Sequence, residues 1–306
     1  MTKVLVATDK PFSTIAVNGI RKIVEDAGFE FALLEKYTDV KDFLEAVSDV
    51  DALIVRSDKV TKEVIDSAKN LKIVVRAGAG YDNIDLDACS ARGIVAMNTP
   101  GQNSNAVAEL AIGFMIYMAR TCFTPATGSE LYGKRLGIHA YGNVGRLVAQ
   151  KAKAMGMEVM AFDPFVSVDI ITKDGVKVAN TVEALYENSD YLSLHIPSTS
   201  ETKQSINYSL LSRMPKGACL VNTARKEVIN EADMAKLLAE RNDFKYITDI
   251  SADNNTELTT FAPRYFATPK KMGAQTNEAN VNAGLAAAKQ IVEFIKNGVT
   301  KFQVNK

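Results

Sequence analysis

The sequence predicts an α/β protein of doubly wound parallel sheets arranged in two domains, and three observations carry that expectation. Short β-branched apolar runs alternate with amphipathic stretches from the first residues onward: KVLVAT, VNGIRKIVEDAG, FALLEK, VKDFLEAV and DALIVRS. The apolar runs lack in-out alternation, so the strands they form are expected to be covered by helices on both faces, as parallel strands are. A length of 306 residues also exceeds what a single core usually serves.

The remaining elements follow the same grammar. Strands are expected at KIVVRAG, IVAMNT, RLGIHAY, EVMAFD, YLSLHI, ACLVNT and KYITDI, each followed by a turn and usually by a helical pattern. NTPGQ at 98–102 interrupts the pattern, and TCFTPATGSELYGK at 121–134 is poor in apolar periodicity and reads as surface linker. From residue 274 a long helical pattern, AQTNEANVNAGLAAAKQIVEFIKNG, runs to a glycine stop at Gly298. A terminal helix of this kind can return to the first domain and make it discontinuous.

Composition narrows the partner. The 36 basic and 36 acidic residues balance, which gives no electrostatic case for nucleic acid or an anionic membrane and favours a small molecule. Cys89, Cys122 and Cys219 are far apart and lack the spacing of a metal site or a disulfide framework, so no metal is expected. MTKVLVATDK has no basic region followed by an apolar stretch and cleavage site, and LAIGFMIYMA at 110–119 is about half of a membrane span. A cytoplasmic, soluble protein is expected.

The segment Leu136 to Gly145, LGIHAYGNVG, joins a buried strand to the helix NVGRLVAQKAKAMG. In that context Gly142 would let backbone approach a pyrophosphate, and Gly145 would let helix and strand pack closely. The N–H groups of Asn143 and Val144 would face the anion at the positive helix end. Ala140 stands where the first glycine of such a turn is expected. Asp163 ends the next strand 18 residues past Gly145, near the offset of an acid that accepts ribose hydroxyls and repels a 2′-phosphate, which favours NAD over NADP.

Taken in order, RAGAGYDNID, NTPGQNSNAVAEL, ELYGKRLGIHAYGNVGR, AFDP, SLHIPST, LVNTARKEVINE and TPKKMGAQT form one series. The series resembles the D-isomer-specific 2-hydroxyacid dehydrogenases from about residue 50 to 280, and within the family it is most similar to the branch that oxidises phosphoglycerate. The resemblance implies two Rossmann-like domains with the active site in the cleft between them. It divides the chain into a substrate domain of residues 1–98 plus 281–306 and an NAD-binding domain of residues 99–280. It further implies a homodimer, with hydride transfer between C2 of 3-phosphoglycerate or 3-phosphohydroxypyruvate and the nicotinamide.

The resemblance also assigns residues. Arg225 is the arginine expected to grip the substrate carboxylate and carbonyl oxygen, a task suited to a planar, permanently charged fork. His195 (through its backbone), Pro197, Thr223 and Ala224 are expected on the cofactor wall, with Asp249, Gly273 and Ala274 near the nicotinamide. The ends of the first-domain strands offer Arg56, Ser57 and Arg76, of which Arg56 and Arg76 stand at family positions, with the backbone of Gly78 and Ala79, to meet the substrate, helped by Lys10 and Lys59 if it carries a phosphate. The chain departs from the family at the base. Relatives have histidine after Thr-Pro, oriented by a glutamate at the position of Asn254, whereas this chain has Lys270-Lys271 after Thr268-Pro269.

TPKKMGA is one residue longer than the family motif, so matching backwards from Met272-Gly273-Ala274 selects Lys271, the register we favour, and matching forwards from Pro269 selects Lys270. In an extended stretch the two side chains face opposite ways, so one of them reaches the site. A free lysine, pKa ~10.4, is a ready acid for the reducing direction and needs desolvation or neighbouring cations to act as a base. Two rival readings accompany this one: a reductase for unphosphorylated hydroxypyruvate or glyoxylate, and a dinucleotide-sensing protein without turnover.

Overall fold

The structure is a computed structural model that describes residues 1–305. It resolves into two compact units, Met1–Asn103 together with the chain from Gln275, and Ser104–Ala274.

In the first unit, β1 (Lys3–Thr8), β2 (Glu30–Glu35), β3 (Ala52–Val55), β4 (Ile73–Arg76) and β5 (Val95–Asn98) form a parallel sheet in the order β2-β1-β3-β4-β5. Successive residues take opposite faces. Val4, Val6, Ile54 and Val75 pack under the helices Thr14–Asp26 and Asn277–Asn297, while Leu5, Ala7, Leu53 and Val74 pack against Phe43, Ile65 and Cys89. Two covered faces explain why these strands read as unbroken apolar runs. The order reverses between β1 and β3, so the loops after those strands flank a crevice.

The terminal helix begins at Asn277 because the Thr276 hydroxyl accepts from the Ala279 N–H at 3.1 Å, and it ends at Gly298 in the left-handed region with φ 66°. It lies so close to Thr14–Asp26 that a Cβ at Gly19 would meet Leu285 Cδ2 at 2.5 Å. The tail then covers the open edge of β5. Val304 N–H donates to Ala96 O at 2.8 Å, and the Asn305 carboxamide accepts from Ala96 N–H at 2.7 Å and donates to Ile94 O at 2.9 Å.

In the second unit, β6 (Arg135–His139), β7 (Glu158–Phe162), β8 (Lys177–Val178), β9 (Tyr191–Leu194), β10 (Cys219–Asn222), β11 (Lys245–Thr248) and β12 (Tyr265–Ala267) form a parallel sheet in the order β12-β11-β10-β9-β6-β7-β8. The sequence patterns foresee neither β8 nor β12, whose two and three residues are too short for any periodicity to register. One face carries Leu136, Ile138, Val159 and Val221 under the helices Ser104–Ala119 and Asn143–Ala154; the other carries Leu192, Leu194 and Leu220. Residues 124–134 form a mostly exposed segment, yet Leu131 reaches the core. Among the described residues no helix is long and apolar enough to cross a membrane.

The order of this sheet reverses between β6 and β9, and the glycine turn leaves β6 at that point. Ala140 adopts φ 78°, the left-handed conformation that a glycine supplies without steric cost. Gly145 lets the helix press on the turn, since a Cβ there would lie 2.3 Å from Ala140 O. Replacing Ala140 with glycine relieves about 1–2 kcal/mol of left-handed strain and returns about 0.5–1 kcal/mol as unfolded-chain entropy. We expect Ala140→Gly to raise the urea midpoint slightly; a clear drop would show that the turn is unstrained.

Both histidines are largely covered beside this turn. His139 Nδ1 lies 3.2 Å from the Tyr186 hydroxyl, and His195 N–H donates to His139 O at 2.9 Å. Burial pushes the His139 pKa from 6.5 down to about 4, and burial aided by His139 pushes His195 down to about 3. The unfolded chain therefore binds more protons than the folded one below about pH 6.5, and this stability is lost as pH falls from there through 4 to 3. Urea titrations at pH 7.5, 6, 5 and 4 should show stability falling with pH, with a shallower fall in His139→Gln and His195→Gln. Equal slopes in all three proteins would refute the assignment.

Candidate active site

The first cluster of the second unit lies at the carboxyl ends of β6 and β7. Gly142 forms the N-cap of Asn143–Ala154 without a capping side chain, and the first N–H groups of any helix lack intrahelical acceptors. Asn143, Val144 and Gly145 thus offer a positive helix end. Asp163, just past β7, is held from two sides: Oδ2 accepts from Tyr141 N–H at 2.7 Å and Oδ1 from Phe165 N–H at 2.8 Å. The carboxylate is thereby aimed next to the turn.

The second cluster is built at the ends of β10, β11 and β12. Asn222, fully buried at the end of β10, clamps the following turn: its Oδ1 accepts from Ala224 N–H at 3.0 Å and its Nδ2 donates to Arg225 O at 2.9 Å. The turn so fixed presents the carbonyl of Ala224. Arg225 Nη1 donates to that oxygen at 3.0 Å, and Lys271 Nζ, arriving from beyond β12, donates to it at 2.5 Å. Lys271 Nζ also lies 3.4 Å from Thr223 O and 3.5 Å from Asp249 Oδ1. Asp249 is completely buried after β11 and its Oδ2 accepts from Gly273 N–H at 2.9 Å.

Burial lowers the Lys271 pKa below the ordinary lysine value; Asp249 opposes that shift and Arg225 reinforces it. Burial also raises the Asp249 pKa, with Lys271 and the Gly273 N–H pulling it back. Desolvation thus drives the pair toward neutrality, and their proximity drives it toward charge. Lys270 takes no part, being exposed, with its carbonyl accepting from the Thr268 hydroxyl at 3.0 Å. Asn254 is held by Glu231, whose Oε2 accepts its N–H at 3.1 Å. Of the nearby acids, Asp253 pairs with Lys226 and Glu257 accepts from Asn254 Nδ2 at 3.2 Å.

The remaining wall residues lie in the same unit. His195 uses its backbone in the sheet while its ring stays buried, and exposed Pro197 gives its carbonyl to the Thr202 hydroxyl at 2.6 Å. Ala274 is half-buried beside Gly273, where a Cβ would meet Asp249 Oδ2 at 2.9 Å. The structure therefore gathers Arg225, Lys271, Asp249, Thr223, Ala224 and Gly273 in one place, and Gly142, Asn143, Val144, Gly145 and Asp163 in another.

In the first unit the expected substrate cations cluster at the β1/β3 reversal, but Arg56 is heavily engaged. Its Nη1 donates to Lys10 O at 2.9 Å and Pro11 O at 3.1 Å, its Nη2 donates to Asn280 Oδ1 at 2.7 Å, and it lies 5.0 Å over the Phe12 ring. Arg76 donates to Arg56 O at 3.0 Å and folds over Gly78, whose N–H bonds back to Arg76 O at 2.9 Å. The carbonyl of Ala79 accepts from Asn98 Nδ2 at 2.6 Å, while Ser57, Lys10 and Lys59 are exposed.

Several buried polar atoms of the second unit carry no hydrogen bond, among them Thr223 Oγ1, His195 Nε2 and Asp249 Oδ1. Native proteins leave few such atoms unpaired, so they fit a bound group that brings its own donors and acceptors. A helix end for a pyrophosphate, an anchored acid for a ribose and orphaned atoms beside two cations suit a nicotinamide dinucleotide. Sequence reasoning missed Asn222 and Asn280. The signal for Asn222 was a polar residue closing an apolar strand; Asn280, 224 residues from Arg56, gave none.

Residues 117–269 match the family model described as the NAD binding domain of D-isomer specific 2-hydroxyacid dehydrogenases. The chain is 34% identical over 303 residues to a D-3-phosphoglycerate dehydrogenase of Methanocaldococcus jannaschii, covering 93% of this chain and 57% of the relative. It is 33% identical over 282 residues to a hydroxypyruvate reductase of Thermotoga maritima, covering 86% and 90% respectively. The chain spans little more than half the length of the curated phosphoglycerate dehydrogenases it matches, 55% of that of Bacillus subtilis for example. Among solved structures, the NAD+-bound 3-phosphoglycerate dehydrogenase of Entamoeba histolytica superposes with a TM-score of 0.89 at 47% identity, covering 100% of this chain and 99% of that one. With a parallel sheet reversing at a glycine turn, an acid beyond the next strand and these matches across nearly its whole length, the chain belongs to the D-isomer-specific 2-hydroxyacid dehydrogenases.

Proposed function

We propose that the protein is an NAD-dependent D-3-phosphoglycerate dehydrogenase in which Lys271 is the acid/base. The observation that carries this reading is the convergence of Arg225 and Lys271 on the carbonyl of Ala224, at 3.0 and 2.5 Å, which makes one small region doubly cationic. A 2-keto acid needs such a region, because its carboxylate and its polarised C2 oxygen both seek donors. The 47% identity to the Entamoeba histolytica enzyme supports the substrate.

NAD supplies the hydride acceptor or donor for C2 of the substrate. Arg225 grips the carboxylate and carbonyl oxygen in a planar fork. In reduction the Lys271 ammonium gives its proton to the developing C2 alkoxide, and in oxidation the neutral amine removes the hydroxyl proton. Asp163 would accept from the ribose hydroxyls, and the Asn143–Ala154 helix end would hold the pyrophosphate. Thr223 would bring its unpaired hydroxyl oxygen to the nicotinamide side.

A second reading, a reductase for unphosphorylated hydroxypyruvate or glyoxylate, draws support from Arg56: its guanidinium is committed to Lys10 O, Pro11 O and Asn280 rather than held out for a phosphate. The Thermotoga maritima relative points the same way.

NADH oxidation with 3-phosphohydroxypyruvate and with hydroxypyruvate separates the two. The proposal expects kcat/KM to favour the phosphorylated substrate by on the order of 100-fold or more, the return on charged-group contacts to a phosphate; a ratio near one supports the second reading. Lys271→Met should lower kcat on the order of 100-fold or more, as loss of a general acid does, with Lys270→Met near normal. The reverse pattern would move the role to Lys270, and no turnover of either substrate despite NADH binding would leave a sensor. Asp163→Ala should narrow the preference for NADH over NADPH at least about tenfold, as a ribose-binding acid predicts, and an unchanged preference would remove Asp163 from the cofactor site.

A further inference from the structure

We propose that Asp249 is the positioning residue for Lys271: a buried carboxylate that clasps the 271–273 loop through Gly273 and holds the Lys271 ammonium over the end of β10. The inference rests on Lys271 being the acid/base. It assigns to the strand-end aspartate the orienting work for which the family resemblance expects an acid at position 254.

One side chain grips the loop twice. Asp249 Oδ2 accepts from Gly273 N–H at 2.9 Å, and the glycine is required, because a Cβ would sit 2.9 Å from the same oxygen and 3.3 Å from Val107 Cγ2. This fixes the loop register so that the residue two before Gly273 turns inward and Lys270 outward. The other oxygen, Oδ1, is buried without a hydrogen bond and faces Lys271 Nζ at 3.5 Å. A buried carboxylate oxygen without a partner is costly, and Lys271 is the cation that pairs with it among the described residues. Nζ donates to Ala224 O at 2.5 Å and to Thr223 O at 3.4 Å, which tethers the ammonium with its third donor available to Asp249 Oδ1.

The acids near position 254 are otherwise occupied. Asp253 pairs with Lys226, Glu257 accepts from Asn254, and Asn254 itself is anchored on Glu231. The charged groups that act on Lys271 are Asp249 and Glu227, which favour the ammonium, and Arg225, which opposes it. Removing the Asp249 charge leaves burial and Arg225 to lower the lysine pKa further.

The test reads the lysine directly. In the cofactor-free protein labelled with 13C,15N-lysine, the Lys271 Cε and Nζ resonances, assigned by their loss in Lys271→Met, are titrated in wild type and in Asp249→Asn. We expect the Lys271 titration to move to lower pH in Asp249→Asn. The high-pH limb of kcat for keto-acid reduction should move the same way, because the ammonium is the acid, and Asp249→Glu should restore part of the shift. Were Asp249→Asn not to fold, Lys271→Met supplies the converse: the Asp249 13Cγ titration should move to higher pH once its cation is gone. An unchanged Lys271 titration in Asp249→Asn, or an unchanged Asp249 titration in Lys271→Met, overturns the pairing. A purely structural aspartate would lower stability and leave both titrations in place. Should the titrations shift as expected while Lys271→Met keeps full turnover, the pairing stands and the acid/base reading fails, so the two are separable.

Discussion

Because every strand pair in both sheets is parallel, the carboxyl ends of each sheet emerge along one edge, and the loops that follow them are forced into one another's company. In the second unit Asp163 follows β7, Asn222 closes β10, Asp249 follows β11 and Lys271 comes shortly after β12. These residues are far apart in the chain and have nothing in common except that strand polarity. In the first unit the same rule brings the loops after β1 and β3 together, where Arg56 fastens the carbonyls of Lys10 and Pro11.

Two cations beside one carbonyl would be unstable without a compensating charge. Asn222 clamps the turn through Ala224 N–H and Arg225 O, Arg225 and Lys271 donate to Ala224 O, and Asp249 supplies negative charge beside the lysine. Glycine at 273 is what lets the aspartate come so close to the loop backbone. The cluster is held by short-range geometry instead of by bulk charge, in keeping with a chain whose basic and acidic residues balance. A site of that kind selects a small anion by donor placement and has little long-range pull on it.

The strands of both units were legible because burial on two faces makes them nearly continuous apolar runs, and the glycine turn was legible because it stands between such a strand and a helix. The terminal helix was marked by a threonine cap and a glycine stop. β8 and β12 were missed for want of length. Ala140 shows the limit of motif reading: the missing glycine looked like a defect in the pattern, yet the backbone takes the left-handed conformation with alanine in place.

The sequence alone determined the alternation of strands and helices, the place of the glycine turn and its acid, and the kinds of residue available for hydride chemistry, because each of these is written in local periodicity or short spacing. It left two lysines side by side, with the motif register favouring Lys271 without fixing it. Only the tertiary structure decided what each of them meets: Lys271 reaches Ala224 O across 47 residues and Asp249 Oδ1 across the β11–β12 connection, while Lys270 stays in solvent. Pairings of that range depend on strand order and on one loop's register, and no local pattern encodes either.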